Sequence, residues 1–156
     1  MLSHIDDKGN PTMVDVGEKQ VSRRTAVARS IVSLPDEVMR LLTGADLQTK
    51  KGPVFQTAII AGIMAAKKTG ELIPLCHPLG LDNCTIAIKI NDQQEMVIEC
   101  TATITAKTGV EMEALVGASI AALTVYDMCK AMSHDIVIKE TRLVEKTGGK
   151  RDFKRT

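Results

Sequence analysis

Residues 85–105 read TIAIKINDQQEMVIECTATIT: two apolar-rich segments, 85–90 and 96–105, on either side of the polar break NDQQ at 91–94. Side chains that alternate in character one by one sit on opposite faces of an extended chain, and the break supplies turn formers. The stretch therefore reads as a β-hairpin, and two strands joined by so short a link must run antiparallel. Outward from it, Gln20 to Leu34 carries the same alternation, with Val21, Arg23, Thr25, Val27, Arg29 and Ile31 on one face and Ala26, Ala28 and Val32 on the other. That is a further strand. PDEVMRLLTG (35–44) has Pro and acids at its start and Gly at its end, the signature of a short helix. A second helix runs from about Pro53 to Lys68, apolar on most faces and hence buried. Gly62 in its middle costs about 1 kcal/mol relative to Ala, so another backbone is expected to pack against it. GVEMEALVGASIAALTVYDMCKAM (109–132) is the longest helix, and IVIKETRLVEK (136–146) a closing strand. The order β-α-α-β-β-α-β predicts a two-layer α+β domain, helices on one face of a mainly antiparallel sheet.

With 156 residues the chain is long enough for one domain with a proper core. We divide it into a polar, partly ordered arm (1–19), a single domain (20–150) and a basic tail (151–156) that reads as a frayed, solvated end. Only 2% of residues are aromatic, so the core must be aliphatic and rich in Ala. The formal net charge of +1 offers no long-range steering towards nucleic acid or a membrane surface. No run approaches the roughly 18 apolar residues of a membrane span, and the first residues lack a signal-peptide core, so a cytoplasmic location is expected. The four cysteines (Cys76, Cys84, Cys100, Cys129) form no CxxC pair and read as reduced thiols. Cys76, His77 and Cys84 lack the paired spacing of a zinc site, so no metal is expected. Lys-Thr-Gly recurs at 68, 107 and 146, but its flanks share nothing and no repeat follows.

Four features can carry chemistry. Pro74 and Pro78 bracket Cys76 and His77 in LIPLCHPLG (72–80), which makes an extended, stiffened loop. Such a loop could fix an imidazole or simply carry an apolar plug. Thr108 and Glu111 match a capping box, which accounts for Glu111 structurally and leaves Glu113 without that explanation. Asp127 and Lys130 are one turn apart in a largely apolar setting; they read as an exposed ion pair or as a partly buried acid–base couple. Lys50 and Lys51 precede the second helix, where cations and free N–H groups would make an anion site. Glu113 and Asp127 are fourteen residues apart, about 21 Å along a helix. One compact ligand is not expected to reach both in one chain, so a shared substrate implies a site between chains.

LIPLCHPL, KTGVEMEAL and YDMCKA, with a Lys-Gly ahead of a long Ala/Ile helix, closely resemble the MoaC family of molybdenum cofactor biosynthesis, the cyclic pyranopterin monophosphate synthases. The resemblance runs from MVDVG near 13 to GGK near 150; Pro53 departs from the Asp or Asn expected after Lys-Gly. It implies a ferredoxin-like fold and a homohexamer built as a trimer of dimers, with sites at dimer interfaces. It also implies a lyase that converts (8S)-3′,8-cyclo-7,8-dihydroguanosine 5′-triphosphate to cyclic pyranopterin monophosphate and diphosphate. Carried over by position, Asp127, Lys130 and Lys51 form the catalytic set, and Leu75, Cys76, His77, Met112 and Glu113 the substrate-binding set. Lys67, Lys146 and Lys150 receive no assigned role, though Lys146 or Lys150 could meet the departing diphosphate. The reaction involves no net redox change, so no redox cofactor is implied. A nucleotide-sensing module and a nucleic-acid-binding module on the same scaffold are the rival readings; scarce aromatics argue against the latter.

Overall fold

The structure, a computed structural model, describes residues 3–156. The expected hairpin is present as β5 (Asn83–Ile90) and β6 (Glu95–Ala106), in antiparallel register from Asn83 opposite Thr103 to Ile90 opposite Met96. Strand β1 (Ser22–Ser33) pairs antiparallel with β6 on one side and with β7 (Val137–Thr147) on the other. A short β8 (Phe153–Lys154) extends the sheet, whose order is β5-β6-β1-β7-β8. Two long helices, α2 (Val54–Lys67) and α4 (Glu111–Cys129), cover one face. Apart from the β8 clip, this is the expected ferredoxin-like arrangement.

The alternation read from sequence decides which face is covered. Ala26, Ala28, Ser30 and Val32 of β1 are fully or almost fully buried beside Met96, Ile98, Cys100 and Ala102 of β6. The polar position in this row, Ser30, is satisfied by the Thr141 hydroxyl at 2.6 Å. Small side chains on α4 (Ala114, Gly117, Ala118, Ala121, Ala122) let it lie close to both the sheet and α2. Gly62 meets the expectation made for it. A Cβ placed there would lie 2.7 Å from the Gly117 carbonyl oxygen, so the two helices cross backbone to backbone. Helix α4 is long and apolar enough to cross a membrane by length and composition, which the sequence reading did not register. Half of that window is buried within the protein against the sheet and α2.

Three features escaped the sequence. After α1 (Asp36–Met39) a small sheet forms from β2 (Leu42–Thr43), β3 (Asp46–Thr49) and β4 (Gly52–Pro53). A single turn, α3 (Thr69–Leu72), leads into the proline-bracketed loop. The basic tail is not frayed. Phe153 and Lys154 pair with Lys146 and Glu145, and Arg155 donates through its backbone N–H to Val144 (2.8 Å) and through Nε to Leu143 (2.7 Å). Arg155 also lies 5.3 Å from the Phe153 ring centroid. Charge composition suggested a free end, but backbone pairing to an open sheet edge outweighs it.

Candidate active site

Residues 73–82 are loop, as the two prolines require. Gly70 of α3 lets the loop pack close: a Cβ there would lie 3.0 Å from the Pro78 Cα, tighter than ordinary contact. The far end is tied to the sheet, where the Asp82 N–H donates to the Thr103 carbonyl (2.9 Å) and the Asp82 carboxylate accepts from the Thr105 N–H (2.8 Å). Between these anchors, His77 donates from Nε2 to the Val14 carbonyl at 2.8 Å, which sets its tautomer. The N-terminal arm thus lies across the loop. It is folded in its own right, with an Ile5–Pro11 bridge and a turn in which Asp6 accepts from the Lys8 and Asn10 backbones. Lys107 holds it further by donating to the Gly17 carbonyl at 2.8 Å.

A cavity of about 240 Å³ lies where arm, loop and the start of α4 meet. Its walls include Leu75, Cys76, His77, Met112 and Glu113, every member of the expected substrate-binding set. The arm adds His4, Val14, Val16 and Lys19, which motif reading did not single out. Glu113 is only 4% exposed. Burial raises its proton affinity, its own backbone N–H opposes that, and the Glu111 charge raises it again; the net shift is upward. Burial and then the Glu113 charge push the Cys76 thiol up as well, so Cys76 stays protonated and suits shape or hydrogen bonding better than nucleophilic attack.

A second cavity of about 240 Å³ shares Lys19, Gly109 and Glu111 with the first. Its walls carry Arg24, Lys146 and Lys150. The capping box is not formed. α4 begins at Glu111 itself, with Val110 in the capping position and no side-chain cap, and the Glu111 carboxylate instead accepts from Lys146 at 3.0 Å. Burial opposes ionisation of Glu111, but that hydrogen bond, its own N–H and the charges of Lys146 and Arg24 outweigh burial and lower its pKa. Gly148 makes this corner possible. Its φ is +86°, and a Cβ there would run into the Arg23 carbonyl.

The trio expected to be catalytic, Asp127, Lys130 and Lys51, forms a separate cluster at the far end of α4. Asp127 accepts from Lys130 at 2.9 Å on Oδ1 and from Lys51 at 3.1 Å on Oδ2, and Lys51 also donates to the Asp127 backbone carbonyl. Of the two readings open for Asp127 and Lys130, the structure shows the exposed ion pair: the side chains are 56%, 53% and 53% exposed for Asp127, Lys130 and Lys51. The apolar neighbours turn inward around the helix while this turn points out. Accordingly Lys130 and then Lys51 lower the Asp127 pKa, and Asp127 raises that of Lys130, so both are held in their charged forms. The anion site expected ahead of α2 is also absent. Asp46 occupies it, accepting from the Phe55 N–H (2.7 Å) and the Gln56 N–H (3.3 Å). Among the described residues no group of three or more His, Cys, Asp or Glu side chains is placed to hold a metal.

Residues 13–149 match the MoaC family. The chain belongs to that family. It is 54% identical to the cyclic pyranopterin monophosphate synthase of Xanthomonas axonopodis pv. citri, over 97% of this chain and 92% of that protein. It is 51% identical to the molybdenum cofactor biosynthesis bifunctional protein of Synechocystis, covering all of this chain but 46% of the longer protein. Molybdenum cofactor biosynthesis protein 1 of Drosophila melanogaster is 50% identical over 99% of this chain and 27% of its own length.

For this MoaC-family chain, motif reading singled out the loop, the start of α4 and its last turn as candidates. It missed Lys19, Arg24 and Asp46. Arg24 and Lys19 sit in segments whose only local signal is strand alternation or polarity. Asp46 caps a helix from nine residues upstream, beyond any capping pattern of adjacent residues.

Proposed function

We propose that this chain is a cyclic pyranopterin monophosphate synthase that binds its nucleotide across the two joined cavities. That juxtaposition carries the reading. A mainly apolar cavity with one buried carboxyl and one oriented imidazole adjoins a basic cavity through Lys19, Gly109 and Glu111. The first suits a purine-derived ring with polar edges, and the second suits a polyphosphate. Closing the cyclic phosphate expels diphosphate, whose growing charge Arg24, Lys146 and Lys150 would stabilise. Opening and rebuilding the ring requires proton transfers without net redox change, the work of Asp127, Lys130 and Lys51 as general acid–base groups.

The trio does not reach that cavity pair within one chain. Fourteen residues of unbroken α4 separate Glu113 from Asp127, about 21 Å. In our reading a second copy brings its last α4 turn to the cavities of the first, in a homohexamer assembled as a trimer of dimers in the cytoplasm. Such docking has an electrostatic consequence. Burying the cluster would raise the proton affinity of Asp127 and lower that of Lys130, moving both from fixed charge towards exchangeable protons. The exposed apolar side chains of Leu123 and Met132 flank that turn and would be covered.

The test is diphosphate release from the cyclic dihydroguanosine triphosphate. Asp127→Ala and Lys130→Ala each abolish turnover while circular dichroism and size-exclusion behaviour stay unchanged; near-normal rates in either refute the assignment. Mixing Asp127→Ala with Glu113→Ala subunits after reversible dissociation restores part of the activity if sites are shared between copies. Absence of restored activity in verified mixed oligomers refutes the shared site. Tight nucleotide binding by the unmodified protein with no diphosphate release would favour the sensing module.

A further inference from the structure

Cys84 on β5 and Cys100 on β6 place their sulfurs 3.7 Å apart, outside both cavities described above. Cys84 faces Ala102 and Cys100 faces Ile86, so the thiols are diagonal neighbours on the helix-covered side of the sheet. Their surroundings differ. Cys100 is fully buried, its sulfur filling the space where Gly117 lacks a side chain: a Cβ at Gly117 would meet it at 2.6 Å. Cys84 is half-buried on the edge strand, within reach of small solutes.

The four thiols are not equally reactive. Cys129 is pushed up to about 11 by burial and then by the Asp46 charge. Burial and Glu113 raise Cys76. Cys100 is held protonated by its hydrogen bond to Cys84, by burial and by the Cys84 charge. Cys84 alone moves the other way: the bond from Cys100 favours its thiolate, burial opposes it, and the Lys67 charge helps. Cys84 is half-buried on the edge strand and Cys100 fully buried, so an oxidant meets Cys84 first, with its partner sulfur 3.7 Å behind it.

We propose that Cys84 and Cys100 form a peroxide-sensitive dithiol, and that their cross-link acts on the loop carrying Cys76 and His77. The Cys84 thiolate attacks one peroxide oxygen; the O–O bond breaks and the other oxygen leaves, taking up a proton, as water or an alcohol. Cys84 is now a sulfenic acid. The Cys100 sulfur displaces its hydroxyl, which departs as water with the Cys100 thiol proton, and the S–S bond forms. Two thiols have supplied the two electrons that reduced the peroxide.

Diagonal neighbours have Cα atoms about 7–8 Å apart, just beyond the ~6.8 Å that a disulfide ordinarily spans. Cross-linking must draw the start of β5 towards β6. That start is tied to Asp82, whose two hydrogen bonds to Thr103 and Thr105 end the loop from 73. The displacement is delivered to the far anchor of His77, and the link is easily reversed by thiols because it is strained.

The test reads mass and needs no substrate, so it can fail independently of the functional reading. Reduced protein is treated with equimolar hydrogen peroxide, alkylated, digested without reductant and mapped. A Cys84–Cys100 linked peptide that vanishes with dithiothreitol is expected. Cys84→Ser leaves Cys100 reduced, and Cys100→Ser leaves a Cys84 sulfenic acid that dimedone traps. First oxidation at Cys76 or Cys129, links only between chains, or no oxidation overturns the dithiol. Hydrogen exchange over 73–82 should differ between linked and reduced protein; identical exchange overturns the coupling to the loop.

Discussion

Gly62→Ala tests the helix crossing on which the position of α4, and with it Glu113, depends. Two effects oppose each other. Alanine in a helix interior is favoured over glycine by about 1 kcal/mol. Against that, the added Cβ would lie 2.7 Å from the Gly117 carbonyl oxygen and 3.2 Å from the Ala121 Cβ. Ile86 Cδ1, at 2.3 Å, is the end of a flexible side chain and can turn away. The carbonyl cannot, so α4 must retreat by roughly 0.7 Å to restore ordinary contact. A radial gap of about 0.5–1 Å forfeits a quarter to a half of the dispersion well for each contact along the crossing. Overpacking of this kind costs about 1–3 kcal/mol, and rigid backbone places this site in the upper half. The net is a destabilisation of about 1–2 kcal/mol, or about 3–6 °C in Tm for a chain of this size. Thermal unfolding followed by circular dichroism at one fixed protein concentration measures it, with Gly80→Ala as control because nothing lies within 4 Å of a Cβ there. A Gly62→Ala protein as stable as the parent, or more so, would refute the close approach.

Two further outcomes follow from the cavity. Glu113 has a raised pKa in the folded chain, so its contribution is fully present below the ordinary Glu value and is lost as pH rises through the folded one. Glu111 has a lowered pKa and does the reverse, contributing above the ordinary value and losing it as pH falls. Glu113→Gln should therefore stabilise the protein at pH 7 relative to pH 4, and Glu111→Gln should do the opposite; matching pH profiles in denaturant titrations would contradict both assignments. His77→Ala removes the donor to Val14 and should release hydrogen-exchange protection over 13–19, whereas His77→Gln, which keeps an N–H, retains part of it; an arm unaffected by His77→Ala is held by something else.

The sheet, its covered face and the two long helices were legible because each rests on periodicity within one segment. Ala26, Ala28 and Val32 alternate in sequence and are buried in the structure for that reason. Gly62 was legible as a close approach because an interior glycine is a local cost with few explanations. The small sheet and the β8 clip were not: two- to four-residue strands are too short for a period, and their stability comes from partners.

For the candidate site, sequence alone determined which chemical groups exist, that two prolines stiffen the His77 loop, and that one helix separates Glu113 from Asp127 by about 21 Å. Tertiary structure decided who meets whom. Lys51 finds Asp127 across 76 positions, Lys146 takes Glu111 from its expected cap across 35, and Val14 orients His77 across 63. It also turned the last α4 turn outward, deciding for the exposed ion pair where the sequence left a partly buried couple equally open. The physical reason is common to all of these. Local pattern fixes backbone conformation and the face a side chain takes, but charge pairing, capping and solvent exposure depend on distances through space between segments that no local window contains.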